Sequence, residues 1–229
     1  MIAILFIKEY SQRISEKNTR NFHGKPLLWW IISTLYKTQG IKEIVIDTDS
    51  NKIADEIKQN FKLEIERYSY TKEGKNLEIL KRPKHLVGDH ITANDLIKGI
   101  IDRVEGDHFL QTHTTNPLLK SSTIEEAINH YYSRRGLNDS LLAVTEHTSP
   151  FYTAIGEPIN HDPGVIEQSQ NAQLIYEDNS NLYIFSRESF GFWGRVGLEP
   201  FMFPISKLES IDINTEEDWK IAEVVKSCL

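Results

Sequence analysis

Apolar positions along the chain follow two rhythms. Met1–Ile7 is a near-continuous apolar run, as expected for a strand buried on both faces. Ile44-Val45-Ile46 within Ile41–Asp47 repeats that pattern. Shorter runs at His108–Gln111, Leu141–Val144, Leu182–Phe185 and Ser210–Ile213 predict further strands. Between them the spacing changes to that of helices. Pro26–Thr38 has Pro26 in the first turn and Gly40 just past the end. Asn51–Phe61 predicts a short amphipathic helix. In Thr92–Val104, Leu96, Ile97, Ile100, Ile101 and Val104 fall on one face behind a Thr92 cap. Ser122–Tyr132 opens on a capping-box pattern, Ser122-x-x-Glu125, and the last helix on Thr215-x-x-Asp218, running to Lys226.

Strands alternating with helices predict an α/β fold with a mostly parallel sheet covered by helices on both faces. Ligands of such sheets bind beyond the carboxyl ends of the strands. Residues 148–181, rich in Pro, Asn, Gln and Tyr, break the rhythm and read as an insertion or substrate flap in an otherwise single domain spanning 1–229.

Composition narrows the function. The 229 residues carry 26 Lys and Arg against 33 Asp and Glu, a net charge of −7. That balance argues against bulk nucleic-acid binding and leaves room for a local basic pocket. No apolar run approaches the roughly 18 residues that cross a bilayer, and Met1–Ile7 lacks a basic leader. The single cysteine, Cys228, leaves no partner for an internal disulfide. A soluble, reduced, cytoplasmic chain is expected, with no membrane partner. Trp29, Trp30, Trp193 and Trp219 are read as core residues.

Candidate chemistry follows the strands. Lys8, Arg13, Lys17 and Arg20 stand in the loop after the first strand, where cations suit a polyphosphate. No glycine precedes Phe22, so a P-loop or dinucleotide fingerprint is absent. Arg82-Pro83-x-x-Leu86-x-x-Asp89 precedes the Thr92 helix. Gln111-Thr112-His113-Thr114-Thr115-Asn116-Pro117-Leu118 continues a strand into a polar loop suited to a sugar or base. Asp212 and Asn214 share one face by period two, and two such oxygens can hold a Mg²⁺ shared with phosphates; helix capping is the competing role. Asp47-Thr48-Asp49 is a D-x-D at a strand end, which turn chemistry explains as readily. His108, His113, His147 and His161 show no metal-ligand spacing.

These segments, in this order and across nearly the whole chain, resemble the CMP-sialic acid synthetase-like cytidylyltransferases, which activate acidic sugars with CTP. The resemblance rests on Lys17-Asn18-x-Arg20 leading to Gly24-Lys25-Pro26-Leu27, Ile46–Asp49, Arg82–Asp89, Leu110–Leu118 and Ser210–Asp218. It implies a Rossmann-like nucleotidyltransferase fold of the GT-A-like kind, with a small dimerisation or substrate extension, here 148–181, and a homodimer. It implies CTP and an acidic sugar-like acceptor as partners, and Mg²⁺ as cofactor. Lys8, Arg13 and Lys17 would be catalytic. Lys8, Ser11, Gln12, Arg13, Lys17, Asn18, Arg82, Asp89 and Gln111 would bind the nucleotide. His113, Thr114, Asn116, Asn179 and Tyr183 would bind the acceptor, and Asp212 and Asn214 the metal.

The chain departs from the family pattern at defined places. Where the family reads Arg-x-x-Ser-Lys, this chain has Lys8, Ser11 and Gln12, with Arg13 next door. The Asp-x-Asp pair becomes Asp212 and Asn214. Arg-x-Asn-Gly before the late strand becomes Glu177-Asp178-Asn179-Ser180. The changes at the strand-and-flap region concern the acceptor more than the nucleotide. Two other readings stay open: a non-catalytic nucleotide- or sugar-binding homologue, motivated by Gln12 and Asn214, and a glycosyltransferase that uses Asp47 and Asp49 for a metal.

Overall fold

A computed structural model describes residues 1–11, 13–72, 74–164 and 172–229. Its centre is a seven-stranded sheet. The strands, in chain order, are β1 (Ile2–Ile7), β4 (Glu43–Thr48), β5 (Asn76–Lys81), β6 (His108–Thr112), β7 (Ser140–His147), β8 (Ile175–Ser186) and β9 (Pro200–Pro204). Their spatial order is β5-β4-β1-β6-β8-β7-β9. β8 is antiparallel to both neighbours and every other pairing is parallel. A separate two-stranded ribbon, β2 (Asn21–Phe22) and β3 (Lys25–Pro26), turns through His23 and Gly24. Both turn residues have positive φ, 48° and 80°, the geometry of a two-residue hairpin.

Successive side chains of each central strand enter opposite cores. Ala3, Leu5, Ile7, Ile44 and Ile46 join α1 (Leu27–Lys37), α2 (Asn51–Asn60) and α5 (Ser121–Ser133) on one face. Ile2, Ile4, Val45, Phe109, Tyr183 and Phe185 join α4 (Ala93–Ile101) and α6 (Arg187–Trp193) on the other. The continuous apolar runs of the sequence are therefore strands with two buried faces. A third cluster forms beside the sheet from Ile14, Phe22, Leu27, Ile213, Trp219 and Ala222, where α7 (Glu216–Ser227) lies. Among the described residues no helix is long and apolar enough to cross a membrane.

Several expectations are corrected. Ser210–Ile213 is not a ladder strand. The chain runs through a turn and an extended segment whose polar groups meet loops instead: Ile213 N donates to Thr115 O (2.9 Å) and Asn116 Nδ2 to Ile211 O (3.4 Å). The sheet edge is β9, which Pro200 and Pro204 disguise in sequence and which pairs on one side only. The expected Ser122 box does not form. α5 starts one residue earlier after Lys120, with no side-chain cap, and Glu125 accepts from Gln39 N (2.7 Å). The boxes at Thr92 with Asp95 and Thr215 with Asp218 both close. Trp193 is exposed, whereas Trp219 is buried. α3 (Lys62–Thr71) has no buried residue and so left no apolar periodicity to detect. Of the 148–181 segment, residues 175–181 belong to β8. Asn160 ties the described part of the remainder together through Phe151 N, Ser149 O and Gln173 O.

Candidate active site

The loop after β1 is held from below by apolar anchors. Ile14 sinks into the third cluster beside Ile213, so the residues flanking each are brought face to face. Arg13 therefore donates to Asn214 Oδ1 (2.7 Å), and Lys17 Nζ donates to Ile213 O (2.9 Å). Ser11 Oγ accepts from Ile14 N (3.3 Å). Asn18 fastens the loop to its own start through Lys8 O (2.9 Å) and accepts from Thr114 Oγ1 (2.6 Å), which belongs to the loop after β6. Arg20 reaches α7, pairing with Glu216 (2.6 Å) over the Trp219 ring.

The result is a cleft of about 300 Å³ at the carboxyl ends of β1 and β6. Lys8, Ser11, Arg13, Lys17, Asn18 and Asp89, expected at the nucleotide, line it together with His113 and Thr114, expected at the acceptor. Lys8 lies 3.8 Å from Asp89. Burial holds the Lys17 ammonium below its ordinary pKa; Asp212 pulls it back up and Arg13 pushes it further down. His113 sits edge-on to Phe6. Burial, then Arg195 and Lys17, press its pKa down to about 3, so at neutral pH the ring is uncharged. Gln12 lies outside the described residues. Tyr10, which sequence reasoning passed over, stands 88% exposed at the mouth of this cleft and of a neighbouring cavity reaching Lys52. Its position between Lys8 and Arg13 was the available signal.

A second pocket of about 390 Å³ adjoins the Arg13–Asn214 contact. Thr145, Glu177, Asp178, Asn179, Ser180, Ser210, Asp212, Asn214 and Asp218 line it. Asp212 accepts from Asn214 Nδ2, so the two expected metal ligands are adjacent. Asp218 is engaged in capping α7 through Thr215 and in bonding Asn214 N (3.0 Å).

Four expected contact residues stand elsewhere. The Arg82 side chain is 0% exposed. It ion-pairs with Asp47, donates to Asp47 O (3.1 Å) and Ile7 O (3.3 Å), and lies 3.6 Å from Asp49. A buried guanidinium so used has no surface for a nucleotide; it clamps the ends of β1 and β4 beneath the cleft. Gln111 is also fully buried, between Arg195 Nη1 (2.9 Å) and His113 Nε2 (2.9 Å). Asn116 is buried against Ile211 O. The Tyr183 ring is buried, its hydroxyl donating to Asp178 (2.6 Å) and accepting from Arg195 (3.2 Å). Burial raises the Tyr183 pKa to about 12, which keeps the phenol a donor. Arg195 organises this group and escaped sequence reasoning because it follows α6 in no recognisable motif. Gly194, at φ 71°, lets the chain turn into it.

The D-x-D pair is likewise committed. Asp47 is shared by Arg82 and Arg103 (2.6 Å), and Asp49 accepts from Glu9 N (3.1 Å). Two guanidinium groups compete for the carboxylate that a glycosyltransferase metal would need, which removes the ground for that reading.

Comparison with known proteins identifies the family. A family model described as Cytidylyltransferase matches residues 2–209. The N-acylneuraminate cytidylyltransferase of Streptococcus agalactiae serotype V is 25% identical over 233 residues, covering 95% of this chain and 51% of that protein. The chain thus spans about half the length of that relative. The CMP-N,N'-diacetyllegionaminic acid synthase of Legionella pneumophila is 26% identical over 240 residues, covering 97% of this chain and 94% of that one. Among solved structures, a CMP:2-keto-3-deoxy-manno-octonic acid synthetase complexed with CTP superposes with a TM-score of 0.65 at 10% identity, over 99% of this chain and 98% of the other. A sheet of this order, a cationic loop after its first strand and a family model over most of the length lead to one conclusion: the chain belongs to the cytidylyltransferase family.

Proposed function

We propose that the chain transfers CMP from CTP to an oxygen of an acidic sugar acceptor, releasing pyrophosphate. The observation that carries this reading is the convergence of Lys8, Arg13 and Lys17 in one cleft, directly beside Asp212 and Asn214. The acceptor oxygen attacks the α-phosphorus, the bond from α-phosphorus to the bridging oxygen breaks, and the acceptor proton passes to solvent. Lys8, Arg13 and Lys17 neutralise the triphosphate and the charge that builds on the leaving pyrophosphate. Asn18, Thr114 and Arg20 hold those cations in place and leave positioning as their contribution. Residues of the first cleft take the nucleotide and those of the second the acceptor.

Asp212 offers Mg²⁺ a carboxylate, and Asn214, which here turns its nitrogen to Asp212 and its oxygen to Arg13, would add an amide oxygen once that amide turns, leaving the remaining positions to water and phosphate oxygens. Among the described residues no three His, Cys, Asp or Glu side chains group into a metal cage. Mg²⁺ held there would screen the phosphates and polarise the α-phosphoryl oxygen. Residues 148–164 and 172–174 contribute to the homodimer contact in this reading, because Tyr152, Ile155, Ile159 and Leu174 are exposed there, joined by Tyr176 of β8; sedimentation velocity of wild type and of Ile155→Asp checks it.

Pyrophosphate release measured with CTP, ATP, GTP or UTP, with Mg²⁺ and a set of 2-keto sugar acids, tests the function. Release with CTP and a sugar acid is expected. Release with another nucleotide alone, or none with any pair while CTP still binds, overturns the reading.

A further inference from the structure

The acceptor pocket carries charge of the wrong sign for an acidic group. Its lining has four carboxylates, Glu177, Asp178, Asp212 and Asp218, and no Lys, Arg or His. Asp212 and Asp218 stand near Arg13 and Lys17, whereas Glu177 and Asp178 do not share those cations. Glu177 has one oxygen on His147 Nε2 (2.8 Å). Asp178 uses Oδ1 twice, for Tyr183 Oη (2.6 Å) and Ser180 N (3.0 Å). The Arg195–Tyr183–Asp178 chain thus fixes a carboxylate that lines the pocket. Asn179 is 7% exposed, lines the pocket and donates to Thr145 Oγ1 (3.2 Å), but its Oδ1 is buried with no partner. A buried acceptor without a donor costs about as much as a lost hydrogen bond unless a ligand supplies one.

These oxygens do not converge as a metal cage. The surrounding sequence is acidic: residues 136–186 contain seven Asp and Glu and no Lys or Arg, and His147 meets only one oxygen of Glu177. A second copy contributing this segment would add negative charge. The pocket asks for hydrogen-bond donors carrying positive charge.

We propose that the Glu177–Asp178–Asn179 end of this pocket selects an acceptor with a protonated amino group on its tail. This rests on the cytidylyltransferase reading of the site. The ammonium is then directed toward Glu177 and Asp178, with Asn179 Oδ1 taking one of its hydrogens, and the sugar carboxylate lies away from that end. The family pattern Arg-x-Asn-Gly replaced by Glu177-Asp178-Asn179-Ser180 becomes a reversal of charge at the specificity end.

The test is calorimetric titration of the intact chain, with and without CTP, at pH 7. The probes are 3-deoxy-2-ketononulosonic acids that differ only in an amino group replacing the hydroxyl at C7, C8 or C9. At least one amino form is expected to bind roughly 10- to 100-fold tighter than its hydroxyl parent, the worth of a charge-assisted hydrogen bond. Glu177→Gln with Asp178→Asn should bring the pair within threefold. Equal binding, binding of neither form, or a preference that survives the double variant overturns the proposal. An intact amino preference with no response to CTP would instead break the cytidylyl reading and leave the pocket assignment standing.

Discussion

Two adjoining clefts differ in every physical respect except their shared wall. The first, after β1, is cationic, and its cations are tethered through Ile14 to an apolar cluster. The second, between β8 and the 211–218 segment, is lined by carboxylates and amides. Arg13 bonded to Asn214 is the seam. The difference divides the substrates by charge: polyphosphate belongs to one side and donor groups to the other, with the reacting oxygen meeting the α-phosphorus where the fields change sign. Removing Asp212 breaks the comparison most completely, because it deletes a carboxylate at the seam that, unlike Asp218, has no capping duty. Asp212→Ala is expected to lower kcat by about 10³-fold or more, with the circular dichroism spectrum and melting midpoint unchanged. Near-normal turnover would refute its role.

Next in size is the floor beneath the cationic cleft. Arg82 and Asp47 are both buried, and removing one leaves the other charge without compensation. Arg82→Ala should cost about 3–5 kcal/mol of stability, read from urea unfolding. Arg82→Met with Asp47→Leu should recover part of that loss, since a buried ion pair is often replaceable by apolar residues of similar volume. A stable Arg82→Ala protein with weakened CTP binding would return Arg82 to the nucleotide.

Arg13→Ala comes third. It should raise the CTP requirement by roughly 10- to 100-fold through loss of a charge-assisted contact to phosphate. The acceptor requirement should move far less, which sharpens the division between the clefts. An acceptor effect as large as the CTP effect would merge them.

The distinction also explains what was legible from sequence. The cationic cleft was readable because its residues are consecutive after a strand, and strand ends are where such sheets bind ligands. Lys8, Arg13, Lys17 and Asn18 came to line one cleft. Arg82, Gln111, Asn116 and Tyr183 did not, because a one-dimensional pattern gives a residue's place on a strand but not how deep its side chain lies. Each turned out to bond a neighbouring loop or strand from within. Arg195 and Arg103 act at long range, and no spacing announces a partner 84 or 56 residues away. In the fold, two-faced apolar strands were unmistakable, whereas β9 between prolines and α3, which has no buried residue, carried no periodic signal.

The smallest expected effect concerns Lys17, which lines the first cleft and bonds the 213 segment. Burial lowers its pKa from the ordinary lysine value of 10.5, outweighing the upward pull of Asp212 and Asp218. The sign follows directly. The charged form binds phosphate, the folded protein releases the proton at lower pH than an unfolded chain does, and so CTP binding should begin to weaken below pH 10.5 as pH rises. Phosphate binding itself favours the proton, so the falling limb should lie further toward alkaline pH in the CTP complex than in the free protein. Lys17→Arg keeps the charge over that whole range, because guanidinium does not titrate there. The CTP affinity of the variant, measured from pH 7 to 10, should therefore be flatter than that of wild type, even if lower throughout for want of the Ile213 carbonyl contact. Parallel profiles for the two proteins would mean that Lys17 holds the 213 segment in place and contributes no titrating charge to the nucleotide.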